Sequence, residues 1–129
     1  MLFRSRLVPR LLAEFGCTVL AINDDVAAPF PHNPEPKREA MAQLRAVVKA
    51  GRADIGFAHD ADGERIGLVT EAAEALSEEM TLAIAAEIKL SRHPGKIVTN
   101  ISTTSAIDEI AARHGGEVIR TQEIGRAHV

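Results

Sequence analysis

The sequence predicts an α/β protein built from two incomplete units, each a mixed sheet with helices packed on it. Short apolar runs of strand length alternate with longer segments in which apolar residues recur at helical spacing. Apolar residues make up 46% of the chain, but there are only four Phe and no Trp or Tyr. The core is therefore aliphatic, which suits helices that cover a sheet. Glycines that end helices recur in both halves, and we place the unit boundary near residues 72–77, giving units 1–74 and 75–129.

The first unit begins with a helix rather than a strand. Apolar residues at helical spacing predict a helix over residues 7–15, with Pro9 in its first turn and Gly16 as its C-cap. The nearly continuous apolar run 18–22 predicts a strand in a sheet covered on both faces. A proline-rich loop without period, residues 23–36, follows it.

The rest of the first unit reads as a helix and two strands. A helix opens at Pro36 and Lys37 and runs to about residue 50, ended by a glycine. Strands over residues 53–58 and 65–70 are expected to be antiparallel, because too few residues separate them for a crossover. The inward face of the helix is predicted to carry four apolar side chains: Met41, Leu44, Val47 and Val48.

The second unit repeats the alternation of helix and strand. Ser77 is a good N-cap for a helix that ends near residue 90, and Pro94-Gly95 breaks the chain. Residues 96–101 and 117–120 read as strands. A helix over 106–114 lies between them, capped by Ser105 or Thr104.

Composition excludes several classes of function. The net charge is −3 with the signs mixed, and no basic block is interleaved with aromatics, so we expect no nucleic-acid partner. The apolar runs are too short to span a membrane, and the N-terminus lacks the pattern of a signal peptide. The single cysteine, Cys17, excludes an internal disulfide, and we expect a buried, inert thiol. The cytosol is the expected compartment.

One loop carries the strongest chemical signal. Asp60, Asp62 and Glu64 alternate with other residues, so in an extended loop their carboxylates point to one side. Three such charges repel unless a cation neutralises them, and oxygen ligands favour Mg²⁺ or Ca²⁺. Arg65 follows directly, and its planar fork suits phosphate. An acidic metal cradle beside such an arginine is the chemistry of phosphoryl transfer.

Two other interpretations of this loop stay open at this point. Asp-Ala-Asp-Gly is also a good hairpin turn with solvated acids, and spacing alone favours that interpretation. A calcium loop of the EF-hand type is the second. It needs glycine where Arg65 stands and helices where the flanks read as strands.

Three stretches, in order along the chain, resemble the α-D-phosphohexomutase family. Residues 53–65 resemble its metal-binding loop, usually Asp-Gly-Asp-Gly/Ala-Asp-Arg, although Glu64 stands where a third Asp is usual. Residues 30–36 resemble the middle of its second domain. Residues 95–104 and 115–121 resemble its third domain, most closely in archaeal-type members.

The resemblance implies a Mg²⁺-dependent transfer of phosphate between O1 and O6 of a hexose phosphate, through a phosphoserine and a bisphosphate. It implies Asp60, Asp62 and Glu64 as metal ligands and Arg65 as a phosphate contact. No catalytic residue is assigned to this chain, because Pro31 occupies the serine position of a His-Asn-Pro look-alike. We expect an inactive piece of the enzyme, lacking its first and fourth domains. Glucose, mannose or glucosamine phosphate is the expected substrate of the whole enzyme.

Three more residues are candidates for the substrate side of the cleft: Ser102, Thr103 and Arg126. For Ser102 and Thr103 the alternative is a helix N-cap, and for Arg126 an exposed position near the terminus. For the whole chain, the alternative function is a non-catalytic module that binds metal or oligomerises through exposed sheet surfaces.

Overall fold

The computed structural model describes residues 2–25 and 27–122, with side chains from residue 7 onward. The chain divides into two compact units, residues 1–78 and 79–129. Helices and small sheets occur in both, so the predicted α/β class is confirmed. In the described part of the chain, no helix is long and apolar enough to cross a membrane.

Unit 1 is a helix packed on a β-hairpin, preceded by a further helix. The two strands pair antiparallel, as predicted, with Ile55 opposite Thr70 and His59 opposite Ile66. The acidic loop is therefore the connection of this hairpin. The elements in chain order are α1 (Leu2–Glu14), α2 (Ala42–Gly51), β1 (Ile55–His59) and β2 (Ile66–Thr70).

The core of unit 1 lies where α2 covers the hairpin. Met41, Val48 and Val69 are almost completely buried. Gly56 permits this close packing, because a Cβ there would lie 2.7 Å from Cγ2 of Val48. Of the predicted inward side chains, Met41 and Val48 belong to this core and Leu44 packs against it, whereas Val47 is only partly buried. Ile55 and Phe57 lie on the exposed side of β1.

Both helices of unit 1 differ from their predicted bounds. Helix α1 begins at Leu2, so Pro9 lies inside it rather than in its first turn. Proline has no N–H, so the carbonyl one turn earlier lacks its helical donor, and the rest of the helix tolerates this loss. Helix α2 begins at Ala42, because residues 37–41 form hydrogen-bonded turns instead.

The predicted strand at residues 18–22 is wrong. The segment forms no ladder, and Leu20 is 65% exposed. A strand needs a neighbouring chain to pair its backbone groups, and none of the described residues supplies one here. Together with β1, the segment lines an open groove of about 940 Å³. Cys17 at its start is exposed, so the expectation of a buried thiol is also wrong.

Unit 2 packs two helices against a pair of parallel strands. Lys96 lies opposite Glu117 and Asn100 opposite Thr121. The core is made of small and branched side chains from both helices, including the fully buried Ile107. The elements are α3 (Glu78–Arg92), whose first residue is the last of unit 1, then β3 (Lys96–Asn100), α4 (Ala106–Arg113) and β4 (Glu117–Thr121).

Neither described sheet is mixed, which corrects the prediction. The first has two antiparallel strands and the second two parallel strands. In unit 1, the predicted strand at residues 18–22 does not form, so the hairpin has no third strand among the described residues. The hairpin loop and the β3–α4 loop nevertheless stand where the sequence placed them, each directly after a strand.

Candidate metal and phosphate site

The loop between β1 and β2 is closed by its own backbone. Asp60 N–H donates to the carbonyl of Arg65 at 3.3 Å, which continues the hairpin by one more pair. Gly63 has φ +80°, a left-handed conformation that glycine adopts without strain. These two features turn the chain within four residues and hold the loop against the hairpin.

Asp60 is the structural centre of the loop. It is only 8% exposed, and its Oδ1 accepts the N–H of Gly63 at 2.8 Å and that of Arg65 at 3.2 Å. Burial by itself raises the pKa of Asp60, but the N–H of Arg65, the neighbouring Asp62 side chain and the N–H of Gly63 outweigh it, and the pKa is lowered. The loop therefore stabilises Asp60 as a carboxylate anion.

Asp62 and Glu64 are exposed on the same loop. Oδ1 of Asp62 accepts the N–H of Glu64 at 3.3 Å, an Asx-turn of the kind that ordinary hairpins use. The loop is thus a hydrogen-bonded turn flanked by strands, which leaves the EF-hand interpretation without its helices.

The three carboxylates of the loop have the oxygen ligands that a hard divalent cation prefers, but only two of the three lie close together. The side chains of Asp60 and Asp62 lie within interaction distance of each other, and both carry oxygen ligands. Glu64 is not gathered with them. Across the described residues, no group of three or more His, Cys, Asp or Glu is close enough to hold a metal ion. The three-ligand site therefore remains a hypothesis in which Glu64 has to turn toward the other two.

Arg65, predicted to bind phosphate, is held by carboxylates in this structure. Its Nη1 donates to Oε1 of Glu35 at 3.0 Å and lies 3.7 Å from Oε1 of Glu78. The other oxygen of Glu35 pairs with Lys37 Nζ at 2.9 Å. The hydrogen bond from Lys37 is the largest influence that lowers the pKa of Glu35, and the charge of Arg65 adds to it.

Glu35 and Lys37 were missed by the sequence reasoning. They lie about 25 residues before the loop, in a segment predicted only as loop and helix start. Pro36 between them is buried against β2, where a Cβ on Gly67 would lie 3.0 Å from the carbonyl of Pro36. This packing brings both side chains beside Arg65. The resemblance of residues 30–36 was the one sequence signal that marked the segment.

The other candidate residues lie in the β3–α4 loop of unit 2. The hydroxyls of Ser102 and Thr103 both donate to Oδ1 of Asn100, at 3.0 and 2.7 Å. Thr104 caps α4, since its Oγ1 accepts the N–H of Ala106 at 3.3 Å. Ser105 makes no side-chain cap bond, which decides between the two predicted caps.

Arg120, also missed by the sequence reasoning, organises this second loop. Its guanidinium donates to the carbonyls of Thr103 at 2.8 Å and Thr104 at 3.3 Å, and to the carboxylate of Asp108. The parallel pairing of β4 with β3 places it there, at the end where both strands stop. Arg126, the third candidate on the substrate side, lies outside the described residues.

Two family profiles match consecutive parts of the chain. "Phosphoglucomutase/phosphomannomutase, alpha/beta/alpha domain II" matches residues 4–74. The corresponding domain III profile matches residues 77–129. Between them they cover nearly all of the sequence, in the order that the motifs predicted.

Individual proteins agree with the profiles. A Methanopyrus kandleri protein named "Probable phosphoglucosamine mutase" is 38% identical over 94% of this chain, which spans 27% of that relative. A "Phosphopentomutase" of Thermococcus kodakarensis is 35% identical over 96% of this chain and 28% of its own length. The chain thus spans about a quarter of these relatives.

A solved structure shows the same arrangement. A phosphoglucomutase/phosphomannomutase family protein from Burkholderia thailandensis superimposes with a TM-score of 0.76 at 33% identity, over 88% of this chain and 26% of that one. Sequence and structure therefore lead to one assignment. The chain belongs to the phosphoglucomutase/phosphomannomutase family.

Proposed function

We propose that this chain supplies the metal-binding loop of a sugar-phosphate mutase, an isomerase that transfers a phosphoryl group between two hydroxyls of one sugar. The observation that carries the proposal is the hairpin loop 60–65, in which a nearly buried aspartate anion lies beside a second carboxylate and an arginine. In a chain of this family, that constellation matches the demands of phosphoryl transfer.

Each residue of the loop has a distinct role in the proposal. Asp60 and Asp62 hold Mg²⁺, and Glu64 completes the set as a longer substitute for aspartate. Arg65 holds an oxygen of the phosphate. Mg²⁺, when bound, neutralises charge that develops on the transferring group. Asp60 is prepared for this role, because backbone N–H groups already fix its carboxylate.

The β3–α4 loop supports the substrate side of the same proposal. The hydroxyls of Ser102 and Thr103 can contact a sugar or a phosphate once they leave Asn100, and Arg126 adds a positive charge further along the chain. The relatives carry names that specify different sugars, a hexosamine in one and a pentose in another. We therefore propose a sugar phosphate as the substrate, with hexose phosphates as the first compounds to test. The proposed compartment is the cytosol.

The 129 residues by themselves are expected to show no mutase turnover. The sequence contains no serine in a His-Asn-Pro setting, since Pro31 takes that position. The phosphoserine, and with it the first and fourth domains of the family, would have to come from sequence other than these residues. An assay of the purified chain with glucose 1-phosphate checks this, and turnover would show that the nucleophile has been misassigned.

Thermal unfolding tests the metal site. Mg²⁺ should raise the melting temperature of the chain, because a ligand that binds only the folded state stabilises it. Asp62→Ala should abolish this rise, and Asp54→Ala, an exposed aspartate just before β1, should leave it unchanged. The proposal fails if wild type and Asp62→Ala respond to Mg²⁺ alike.

A second candidate function has an observation of its own. Several large apolar side chains are highly exposed, among them Leu20 at 65%, Val98 at 66% and Ile101 at 68%. Such surfaces favour a module that oligomerises without catalysis. Analytical ultracentrifugation separates the two ideas, because a stable, Mg²⁺-independent oligomer of the isolated chain supports the module and a Mg²⁺-responsive monomer supports the mutase.

A further inference from the structure

The carboxylate of Glu35 lies between two cationic side chains. One of its oxygens accepts from Arg65 Nη1 at 3.0 Å, and the other pairs with Lys37 Nζ at 2.9 Å. The two oxygens of a carboxylate and two oxygens of a phosphate are interchangeable partners for such groups. Glu35 therefore occupies a place whose donors are arranged for two oxygens of one anion.

The backbones of Arg65 and Lys37 are held without the side chain of Glu35. The N–H of Arg65 is bonded to Asp60, and the carbonyl of Lys37 accepts the N–H groups of Ala40 and Met41 at 2.9 and 3.2 Å. Pro36 is buried against β2. The backbones that carry the two cations therefore stay in place when the glutamate side chain rotates away.

Replacing the Glu35 carboxylate by another anion at Arg65 and Lys37 should cost little free energy. The side chains of Arg65 and Lys37 are 54% and 61% exposed, and ion pairs that are this exposed contribute little to stability. The ion pairs of Arg65 with Glu35 and with Glu78 both use the same nitrogen, Nη1. A phosphate dianion offers more charge than the carboxylate that it replaces.

We propose that Lys37 and Arg65 form one binding site for a phosphate monoester, and that Glu35 occupies this site in the free protein. The inference rests on the proposed function, since it identifies a second contact for the phosphate that Arg65 receives. It makes Lys37 a binding residue and Glu35 an internal competitor.

The local charge predicts that the site depends on a divalent cation. Five carboxylates lie on the loop or around Arg65, against two cations: Glu35, Asp60, Asp62, Glu64 and Glu78 against Lys37 and Arg65. A dianion is repelled by this excess of negative charge. Mg²⁺ on the acidic loop offsets part of it, so phosphate should bind more tightly when Mg²⁺ is present.

Binding of inorganic phosphate to the 129-residue chain tests the proposal. We would titrate phosphate with and without Mg²⁺ and follow the backbone amide signals of Glu35, Lys37 and Arg65 by NMR. Glu35→Gln should tighten binding by about two- to fivefold, and Lys37→Gln should weaken it by a similar factor, since an exposed pair is lost in each case. Arg38→Gln is the matched control, because Arg38 is 63% exposed and pairs elsewhere, with Glu74 at 3.8 Å.

Several outcomes would overturn the proposal. Affinity that is unchanged or weaker in Glu35→Gln excludes the competitor role, and equal affinity in Lys37→Gln and Arg38→Gln excludes Lys37. Absence of binding by both wild type and Glu35→Gln excludes the site altogether. If Glu35→Gln does not fold, the comparison of Lys37→Gln with Arg38→Gln decides. The titration without Mg²⁺ keeps this result separate from a failure of the metal site, which the response of Asp62→Ala to Mg²⁺ reports.

Discussion

The two loops that carry the candidate residues neutralise their charges in opposite ways. In unit 2, Arg120 donates to neutral carbonyls and to Asp108, and the hydroxyls of the loop are bonded to Asn100. In unit 1, the acidic loop satisfies Asp60 with backbone N–H groups, but it leaves Asp62 and Glu64 exposed. The polar groups of the unit 2 loop bond to one another and to Arg120, whereas the unit 1 loop carries negative charge that its own hydrogen bonds do not neutralise. The comparison identifies loop 60–65 as the place where a ligand contributes most.

The largest expected effect is the loss of the hydrogen bonds that Arg120 donates to the unit 2 loop. Arg120→Met should lower the free energy of unfolding by about 2 kcal/mol, because carbonyls that are half-buried lose a charged donor. Arg113→Met is the control, since Arg113 is 65% exposed and contacts a single carboxylate, and it should cost about 0.5 kcal/mol. Urea unfolding measures both, and equal losses would show that Arg120 does not organise the loop.

The next effect concerns how the unit 1 site is held together. Gly67→Ala places a Cβ 2.9 Å from Sδ of Met41 and 3.0 Å from the carbonyl of Pro36. Overpacking of this kind should cost about 1–2 kcal/mol and move Glu35 away from Arg65. Gly95→Ala, with no atom within 4 Å of its Cβ, should change little. Thermal unfolding measures the change in stability of Gly67→Ala. NMR signals of Glu35 that do not change in this variant would show that the packing of Pro36 against Gly67 does not position Glu35.

A smaller effect separates the two adjacent caps of α4. Thr104→Ala should destabilise unit 2 by about 1 kcal/mol, because the N–H of Ala106 loses its acceptor. Ser105→Ala should be close to neutral, since its side chain makes no cap bond. Chemical denaturation distinguishes them, and the reverse order of effects would move the cap to Ser105.

Acid should affect both units through glutamates with a lowered pKa. In unit 2, the hydrogen bond from His114 is the largest influence that lowers the pKa of Glu87, and in unit 1 that from Lys37 does so for Glu35. A carboxyl whose folded pKa is depressed stabilises the fold above its unfolded pKa, and this contribution is lost as the pH falls through the folded value. We therefore expect a loss of stability below about pH 4.5, the ordinary glutamate value. Glu87→Gln should remove the part of that loss that arises in unit 2, as melting temperatures measured against pH would show.

The sequence predicted what depends on local pattern. The bounds of α3, α4 and the four strands were close to those observed, because apolar period, glycine stops and caps act within a few residues. The antiparallel hairpin followed from the short interval between its strands. The strand at residues 18–22 failed for the opposite reason, since a strand exists only with a partner, and pattern alone does not show whether one is present.

The candidate site divides in the same way. Loop 60–65 was found because its chemistry is contiguous in sequence. Glu35, Lys37 and Arg120 were not found, because each reaches its loop from a distant segment through tertiary packing. Single charged residues in solvated segments carry no pattern, so only the fold could bring them to the site.

Mapping of Mg²⁺ on the chain tests the central claim most directly. The amide signals of uniformly labelled protein would be followed by NMR during a titration with Mg²⁺. The account predicts saturable shifts confined to residues 60–65 and their hydrogen-bonded neighbours, absent in Asp62→Ala and retained in Asp54→Ala. Shifts spread evenly over the exposed acidic residues, or no shifts at all, would contradict it and leave the loop as an ordinary hairpin turn.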